Sequence, residues 1–241
     1  MTDPTTLAFW IAVLQIIAID ILLGGDNAVV IALACRKLPD AQRKQGIFWG
    51  VAGAIGLRIV LIFFALQLLE VPWLKIVGAL LLVWIGIKLL QPEEEGHGDM
   101  AAATTLAGAI KTIIIADAVM SLDNVIAVAA AAHGSMLLVV FGILVSIPIV
   151  VWGSQLVLKL MDRYPVVITA GGALLGWIGG GMILSDPALP KDAFAAIPFA
   201  KHLMAALGAI IVIAVGKWLA LRALKAHQGA PVDLMTEEKG Q

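Results

Sequence analysis

The chain has 241 residues, of which 61% are hydrophobic and only 14% are charged. A soluble domain of this size carries far more charge on its surface, so the composition excludes a soluble globular protein and predicts an integral membrane protein. The formal net charge of −1 excludes a strongly basic nucleic-acid-binding protein, and we expect no nucleic-acid partner.

Seven apolar stretches follow one another along the chain, separated by short polar segments. About 20 apolar residues in a helix cross a hydrocarbon core of about 30 Å, whereas transmembrane β-strands are shorter and alternate in polarity. We therefore expect an all-α membrane protein with seven transmembrane helices, at residues 6–34, 46–69, 72–91, 105–131, 135–158, 165–184 and 199–224. These spans belong to one transmembrane domain at 1–225, with an acidic cytoplasmic loop at 92–104 and a polar cytoplasmic tail at 226–241.

The distribution of lysine and arginine predicts how the chain crosses the membrane, because cytoplasmic loops carry an excess of both. With the N-terminus outside, only Lys75, Lys191 and Lys201 lie at external positions, and Arg58 falls inside the second span. The other basic residues then lie on the cytoplasmic side: Arg36, Lys37, Arg43, Lys44, Lys88, Lys111, Lys159, Arg163, Lys217, Arg222, Lys225 and Lys239. This excess predicts an external N-terminus and a cytoplasmic C-terminus.

A polar motif, Asp-x5-Asp-Asn, occurs in the first span and again, 97 residues later, in the fourth. Its residues are Asp20, Asp26 and Asn27 in the first copy and Asp117, Asp123 and Asn124 in the second. Three spans separate the starts of the two copies, so the second unit is inverted relative to the first. We expect two inverted three-helix repeats, at 6–91 and 105–184, and one additional helix at 199–224. Secondary transporters use this arrangement to build a site at the membrane midplane.

The four motif aspartates are the only acidic residues deep within any span. An ionised aspartate in a bilayer costs on the order of a few kcal/mol unless it has a partner. Carboxylate, amide and carbonyl oxygens suit hard divalent cations such as Mg²⁺, Ca²⁺ and Mn²⁺. Four carboxylates exceed the charge of one divalent ion, which leaves room for protons when the metal departs. The motifs therefore predict an ion site, with Arg58 as the candidate counter-charge.

The spacing within each motif leaves open whether its residues form one shared ion site or two. On a continuous helix, the first aspartate and the asparagine of a motif lie about 10 Å apart along the axis, and its two aspartates lie about 120° apart around it. Gly24 and Gly25 are candidates for a helix break, since paired glycines let a helix unwind and turn its carbonyls toward a ligand. The second copy has Ser121-Leu122 there, so regular helices in both copies would favour two stacked sites.

Other interpretations of the motifs stay open on the sequence alone. The polar residues could form hydrogen bonds that only hold neighbouring helices together. The protein could export an amino acid or another organic cation, which would want a larger cavity with aromatic lining. Paired aspartates and the PAL tripeptide in "DPALP" at 186–190 also suggest an intramembrane aspartyl protease. That tripeptide, however, falls in an external loop, and such enzymes place one catalytic aspartate on each of two helices rather than two. The sequence contains no Walker A motif, so ATP-driven pumping is not expected.

Similarity to a known family is carried by the two motif segments, "GGDNAVVIALACRKLP" and "DAVMSLDNVIAVAAAA", which resemble the signature of the TerC family of integral membrane proteins. "GLRIVLIF", "GIKLL" and "SQLVLKLMDRYP" resemble the same family pattern, so the similarity extends over residues 8–224. The short seven-span form resembles the YjbE-type branch of the family. The wider LysE superfamily includes lysine exporters and cation/proton exchangers.

The resemblance implies export of Mn²⁺, with Ca²⁺ or Mg²⁺ as alternatives, through a site made from the six motif residues. It also implies exchange of the metal ion against protons, no permanently bound cofactor and no enzymatic activity. The implied partners are the lipid bilayer, divalent metal ions and protons. We expect the protein to lie in the bacterial inner membrane.

Overall fold

Long helices occupy the positions of all seven predicted spans in the structure, a computed structural model that describes the backbone of residues 7–64, 67–68, 70–91, 105–131, 136–190, 197 and 199–228. Side chains within these ranges are described except at positions 8, 12, 19–24, 123, 125–131, 136–138 and 224–228. The helices are α1 (Leu7–Cys35), α2 (Asp40–Phe63), α3 (Leu74–Leu90), α4 (Leu106–Ala131), α5 (Met136–Arg163), α6 (Val166–Ile183) and α7 (Ala200–Gln228). The described backbone contains no strand, so the predicted all-α class is confirmed.

Four of the helices contain segments that are long and apolar enough to cross a bilayer: Asp40–Phe63, Val139–Arg163, Val166–Ile183 and Ala200–Ala223. Large apolar side chains point outward on these helices, such as Phe63 in α2 and Trp152 in α5, which are 68% and 67% exposed. Exposed apolar surface of this extent is unusual on a soluble monomer and suits contact with lipid.

Four helix ends differ from the predicted spans by four residues or more: both ends of α2, which ends at Phe63 rather than at residue 69, and the ends of α5 and α7. α2 begins at Asp40, six residues before the predicted start, because Pro39 precedes it in an extended conformation and Asp40 supplies negative charge in the first turn. α5 continues past residue 158 to Arg163, which places a basic residue in its last turn. Residues 226–228 of the predicted tail belong to α7, whereas 229–241 and the predicted acidic loop at 92–104 lie outside the described residues.

The two motif helices, α1 and α4, contact each other and each packs extensively on one further helix. α1 packs against α5 and α4 packs against α2, while α3 packs against α6, and α7 lies on α6 and α3. Four residues before the first aspartate of each motif, an isoleucine contacts a glycine of the facing helix. A Cβ added at Gly142 of α5 would lie 2.5 Å from Ile16, and one added at Gly50 of α2 would lie 2.5 Å from Ile113. The two glycines therefore allow both helix pairs to approach equally closely.

The helix break predicted at Gly24 and Gly25 is wrong, because α1 is a continuous α-helix from Leu7 to Cys35. α4 is likewise continuous through Ser121 and Leu122. Unwinding a helix in an apolar environment exposes backbone N–H and C=O groups that need new partners, and each unsatisfied group is costly there. Glycine lowers helix propensity by only about 1 kcal/mol, so the helical hydrogen bonds prevail.

Asp186 lies in the connection between α6 and α7 and caps the start of α3, from which it is distant in sequence. Its Oδ1 accepts hydrogen bonds from the backbone N–H groups of Trp73 (2.8 Å) and Ala188 (2.8 Å), and its Oδ2 accepts those of Lys75 (3.0 Å) and Ile76 (3.2 Å). The first N–H groups of a helix have no partner within the helix, so this buried carboxylate supplies them. Trp73 adopts a left-handed φ of 70°, a strained conformation that the bond to Asp186 helps to hold.

We expect Asp186→Asn to lower the free energy of unfolding by about 1–3 kcal/mol, the cost of leaving buried donors without an acceptor. The amide nitrogen cannot accept a hydrogen bond, so either pair of N–H groups on Asp186 loses its partner. The midpoint of thermal unfolding in detergent measures the change. Asp162→Asn is the matched control: its side chain is 57% exposed at the end of α5 and lies 3.7 Å from Nη1 of Arg43, and because an exposed ion pair contributes only about 0–1 kcal/mol, the midpoint should change little. Equal midpoints for both variants and the wild type would refute the cap.

The same cap makes stability depend on acid pH. Burial by itself raises the pKa of the Asp186 carboxyl, but the N–H donors of Ala188, Trp73, Ile76 and Lys75 together outweigh burial and hold this pKa below its ordinary value. A carboxylate with a lowered pKa stabilises the folded state above its unfolded pKa of about 3.9 and loses that contribution as the pH falls through the folded value. The difference in unfolding midpoint between wild type and Asp186→Asn should therefore be constant near neutral pH and shrink below about pH 4.

Candidate ion site between the motif helices

The polar motifs lie in the middle of α1 and α4, where four of their six side chains are described. Asn27 and Asp117 are buried, with 5% and 6% of their surface exposed, and Asp26 and Asn124 are half-buried. Asp20 and Asp123 lie on the helical backbone of α1 and α4, but their side chains are outside the described part of the chain.

Arg58 of α2 binds the second motif from the neighbouring helix. Its Nη2 donates to Oδ1 of Asp117, and its Nε donates to Oγ of Ser121 at 3.1 Å. The Ser121 hydroxyl in turn donates to Oδ2 of Asp117 at 3.3 Å. All three residues are buried. A charge-assisted pair of this kind is favourable only because a second hydrogen bond satisfies each charged group.

In the first motif, by contrast, one side-chain oxygen on each of two consecutive residues lacks a hydrogen-bond partner. Oδ1 of Asp26 and Oδ1 of Asn27 are buried and have no hydrogen-bond partner among the described residues. An unsatisfied buried acceptor costs about 1–3 kcal/mol and needs an explanation in a folded protein. Carboxylate and amide oxygens are hard ligands of the type that Mg²⁺, Ca²⁺ and Mn²⁺ take. The chemistry of these atoms therefore fits a divalent cation.

A small cavity of about 30 Å³, here the Arg58 cavity, lies between α1, α2, α4 and α5. Its polar lining consists of Asn27, Arg58, Asp117 and Ser146, and the rest of its wall is aliphatic: Val30, Ile31, Val51, Ala54, Ile55, Ile113, Ile147 and Val150. A polar space of this size holds one water molecule or one ion. It brings one residue of each motif together around the arginine.

A second cavity of about 230 Å³, here the His202 cavity, lies between α1, α4, α6 and α7, next to the α6–α7 connection. Polar groups from both motifs and from α7 line it: Asp26, Asn124, Lys201 and His202. Met120, Met182, Trp177, Ile178, Gly181 and Ala205 complete the wall. The ring of His202 also packs edge-on against Trp177, with 6.4 Å between ring centroids.

The regular helices explain why the motif residues are divided between two cavities. Asp26 and Asn27 are consecutive, so their side chains leave α1 about 100° apart and reach different cavities. Asp117 and Asn124 leave α4 on nearly the same face but about 10 Å apart along the axis. No group of three or more His, Cys, Asp or Glu side chains is close enough to hold a metal in the portion of the chain whose side chains are described.

Four polar residues near the motifs were not predicted as site residues. Ser121 lies one helical turn after Asp117, and this i, i+4 spacing is a usable signal. Ser146, Lys201 and His202 carry no such signal, because they reach the cavities only through the packing of α5 and α7 on the motif helices.

Comparison with known proteins identifies the family. Residues 5–228 match the family described as "Integral membrane protein TerC family". The chain is 46% identical over 181 residues to the uncharacterized membrane protein YjbE of Bacillus subtilis strain 168, covering 75% of this chain and 83% of that protein. It is 27% identical to the uncharacterized membrane protein YceF of the same organism, covering 74% and 71% of the two chains. It is 26% identical to the inner membrane protein YgdQ of Escherichia coli K12, covering 79% and 87%.

No solved structure matches the chain. The family match covers the helices that carry both motifs, α7, and every residue named in the two cavities. The predicted resemblance is therefore confirmed, and the chain belongs to the TerC family of integral membrane proteins.

Proposed function

We propose that this protein is a secondary transporter that exports divalent metal ions, with Mn²⁺ as its substrate, in exchange for protons. The observation that carries the proposal is the pair of buried oxygens without partners on Asp26 and Asn27. They sit on adjacent residues of α1 whose side chains open to different cavities. An ion bound by the oxygen in one cavity therefore lies close to the oxygen in the other cavity.

The substrate class follows from the chemistry of the motif atoms. The ion site consists of the motif residues Asp20, Asp26, Asn27, Asp117, Asp123 and Asn124, which supply hard oxygen ligands. Such ligands favour Mn²⁺, Ca²⁺ and Mg²⁺ over softer metals. The choice of Mn²⁺ among these ions rests on the resemblance to manganese exporters of the family. Proton exchange is proposed because buried carboxylates that release a metal ion need protons or another counter-charge.

The packing of the helices supports two inverted repeats of three spans, with α7 as the additional helix. Exchanging α1 with α4, α2 with α5 and α3 with α6 turns the α1–α5 pair into the α4–α2 pair and leaves the α3–α6 pair unchanged. The contacts of Ile16 on Gly142 and of Ile113 on Gly50 exchange in the same way. Inverted repeats allow a transporter to present one site alternately to the two sides of the membrane.

The proposed orientation places the His202 cavity toward the outside and the Arg58 cavity toward the cytoplasm of a bacterial inner membrane. The excess of basic residues at one end of the helix bundle supports it. At that end, Lys88 lies over the ring of Trp84 in α3 and Arg222 over the ring of Trp218 in α7, at 5.0 and 3.9 Å. Basic and aromatic side chains paired at helix ends suit the headgroup region.

A second candidate substrate, an amino acid or another organic cation, is favoured by one observation. The His202 cavity is several times larger than the Arg58 cavity and contains the aromatic ring of Trp177. The positive charge of Lys201 in the same cavity opposes this candidate, because an organic cation would gain from an aromatic lining without a competing cation.

Reconstitution into liposomes tests the proposed function. With Mn²⁺ on one side and indicators for metal ions and pH, we expect saturable Mn²⁺ flux that is accompanied by proton movement in the opposite direction. Asp20→Asn and Asp123→Asn should lose both fluxes, whereas the control Asp162→Asn should keep them. Ca²⁺, Mg²⁺ and lysine are tested in parallel. Mn²⁺ flux without any pH change would refute antiport, and lysine flux without metal flux would favour the organic cation.

A further inference from the structure

We propose that Arg58 is a tethered cation that takes the place of the transported ion at Asp117 while the carrier is empty. The inference rests on the proposed transport function and adds a role for one residue outside the motifs. It gives the buried ion pair between Arg58 and Asp117 a role in the transport cycle.

The contacts in the Arg58 cavity carry the inference. The guanidinium group of Arg58 binds Asp117 and Ser121 of the second motif helix, both buried. Asn27 of the first motif lines the same cavity, and its Oδ1 has no partner in the described part of the chain. The cavity therefore contains the Asn27 oxygen, which has no hydrogen-bond partner among the described residues, and the Asp117 carboxylate, which is paired with Arg58.

Electrostatics makes the arginine and the ion competitors. The cavity measures only about 30 Å³, and two cations within a few ångströms of one carboxylate repel each other strongly in a medium of low dielectric constant. A guanidinium group stays protonated in proteins, so Arg58 cannot yield the site by losing its charge. It yields the site only by moving away from Asp117 when an ion arrives there.

The competition couples ion binding to the contact between two helices. Arg58 lies on α2, and Asp117 and Ser121 lie one turn apart on α4, so the guanidinium ties α2 to α4. Arrival of an ion at Asp117 releases this tie, and departure of the ion restores it. The metal-free carrier is then electrically balanced at Asp117 by Arg58, while protons balance the other motif carboxylates, and it returns across its conformational cycle without a metal ion.

Arg58→Gln should reduce one of two kinds of Mn²⁺ flux and leave the other unchanged. If the arginine had only a structural role, its loss would reduce both fluxes equally. We compare efflux of radiolabelled Mn²⁺ into Mn²⁺-free medium with exchange of labelled for unlabelled Mn²⁺ at equal concentrations on both sides. Only efflux into Mn²⁺-free medium requires the empty carrier to return. We expect that flux to fall about tenfold or more, since charge-assisted hydrogen bonds are worth this much, while exchange is retained. Arg58→Lys keeps the charge and should keep net efflux within roughly threefold of wild type.

Equilibrium binding in detergent provides an independent readout. Without its internal competitor, Arg58→Gln should bind Mn²⁺ about tenfold more tightly, a change of ~1.4 kcal/mol. Ser121→Ala keeps the ion pair but removes the hydroxyl that holds both partners, and it should bind Mn²⁺ more tightly by a smaller factor. If Arg58→Gln does not fold, Ser121→Ala decides the question, since weaker binding in Ser121→Ala would refute the competition.

Failure of this inference is distinguishable from failure of the proposed function. Wild-type protein that moves no Mn²⁺ in either assay refutes the transport function. Wild-type protein that transports Mn²⁺, combined with equal losses of net efflux and exchange in Arg58→Gln, leaves transport standing and refutes the tethered cation.

Discussion

Asp26→Asn should reduce Mn²⁺ transport roughly 100-fold while leaving the protein at least as stable as the wild type. The substitution keeps the size of the side chain and replaces one carboxylate oxygen by an amide group. Oδ1 of Asp26 has no hydrogen-bond partner among the described residues, so the change breaks no contact that this atom makes in the described structure. It removes a negative charge from the wall of the His202 cavity.

The magnitude follows from the interaction between the carboxylate and a divalent ion. Two unit charges 4 Å apart attract each other by about 4 kcal/mol at an effective dielectric constant of 20, and a divalent ion doubles this attraction. Part of it is offset by the hydration that the ion loses, so we expect a loss of roughly 100-fold in the initial rate at low Mn²⁺ concentration, about 2.7 kcal/mol. Flux from liposomes at several Mn²⁺ concentrations measures it.

Stability decides between ion binding and the alternative that the motif residues are hydrogen-bonding glue. Glue residues contribute through contacts between helices, so their removal lowers the unfolding midpoint. A buried carboxylate oxygen without a hydrogen-bond partner lowers stability instead. Asp26→Asn should therefore leave the unfolding midpoint unchanged or raise it. Asp162→Asn is the control for loss of a carboxylate elsewhere. Wild-type flux in Asp26→Asn, or a lower midpoint together with residual flux, contradicts the site.

The positions of most helices are predictable because the apolar interior of a membrane places the same requirement on every span. Each span must satisfy its own backbone hydrogen bonds and present apolar side chains, so hydropathy alone locates the seven helices to within two residues, apart from both ends of α2 and the ends of α5 and α7. The start of α2 and the end of α5 differ because Asp40 and Arg163 are polar and therefore resemble loop residues, although their charges favour the helix termini where they lie.

The arrangement of the site is less predictable because it depends on contacts between distant segments. The motif spacing predicts Asp26, Asn27, Asp117 and Asn124 as site residues, and only the rotation of regular helices distributes their side chains between two cavities. The predicted break at Gly24 and Gly25 fails because two glycines cost less than the backbone bonds they would release.

Asp186, in the connection between α6 and α7, illustrates the same limit. Its sequence neighbours predict a loop, and the tripeptide that follows it suggested protease chemistry among the alternatives. Its actual partners are N–H groups at the start of α3, which lie about 110 residues earlier in the chain. A cap supplied by a distant loop has no local sequence pattern, unlike the Ser, Thr, Asp and Asn caps that precede a helix directly.

The contact between α6 and α7 is predicted to be the most sensitive to a single added methyl group. Gly176 and Gly180 of α6 face Gly208 and Met204 of α7, and backbone touches backbone there. A Cβ at Gly180 would overlap the Met204 carbonyl oxygen and would lie 2.9 Å from its carbonyl carbon and 3.0 Å from Cα of Ala205. Because these are backbone atoms, no side-chain rotation relieves the overlap.

Gly180→Ala should therefore lower the free energy of unfolding by about 3 kcal/mol or more, the upper end of the range for overpacked cores, because α6 and α7 must separate. Gly56→Ala in α2 is the matched control: an added Cβ meets no atom within 4 Å, and alanine gains about 1 kcal/mol of helix propensity over glycine. Thermal unfolding in detergent should thus move in opposite directions for the two variants. Because α7 also supplies Lys201 and His202 to the His202 cavity, folded Gly180→Ala protein should transport Mn²⁺ more slowly. A Gly180→Ala midpoint equal to or above that of the wild type would show that the two helices are not held this closely.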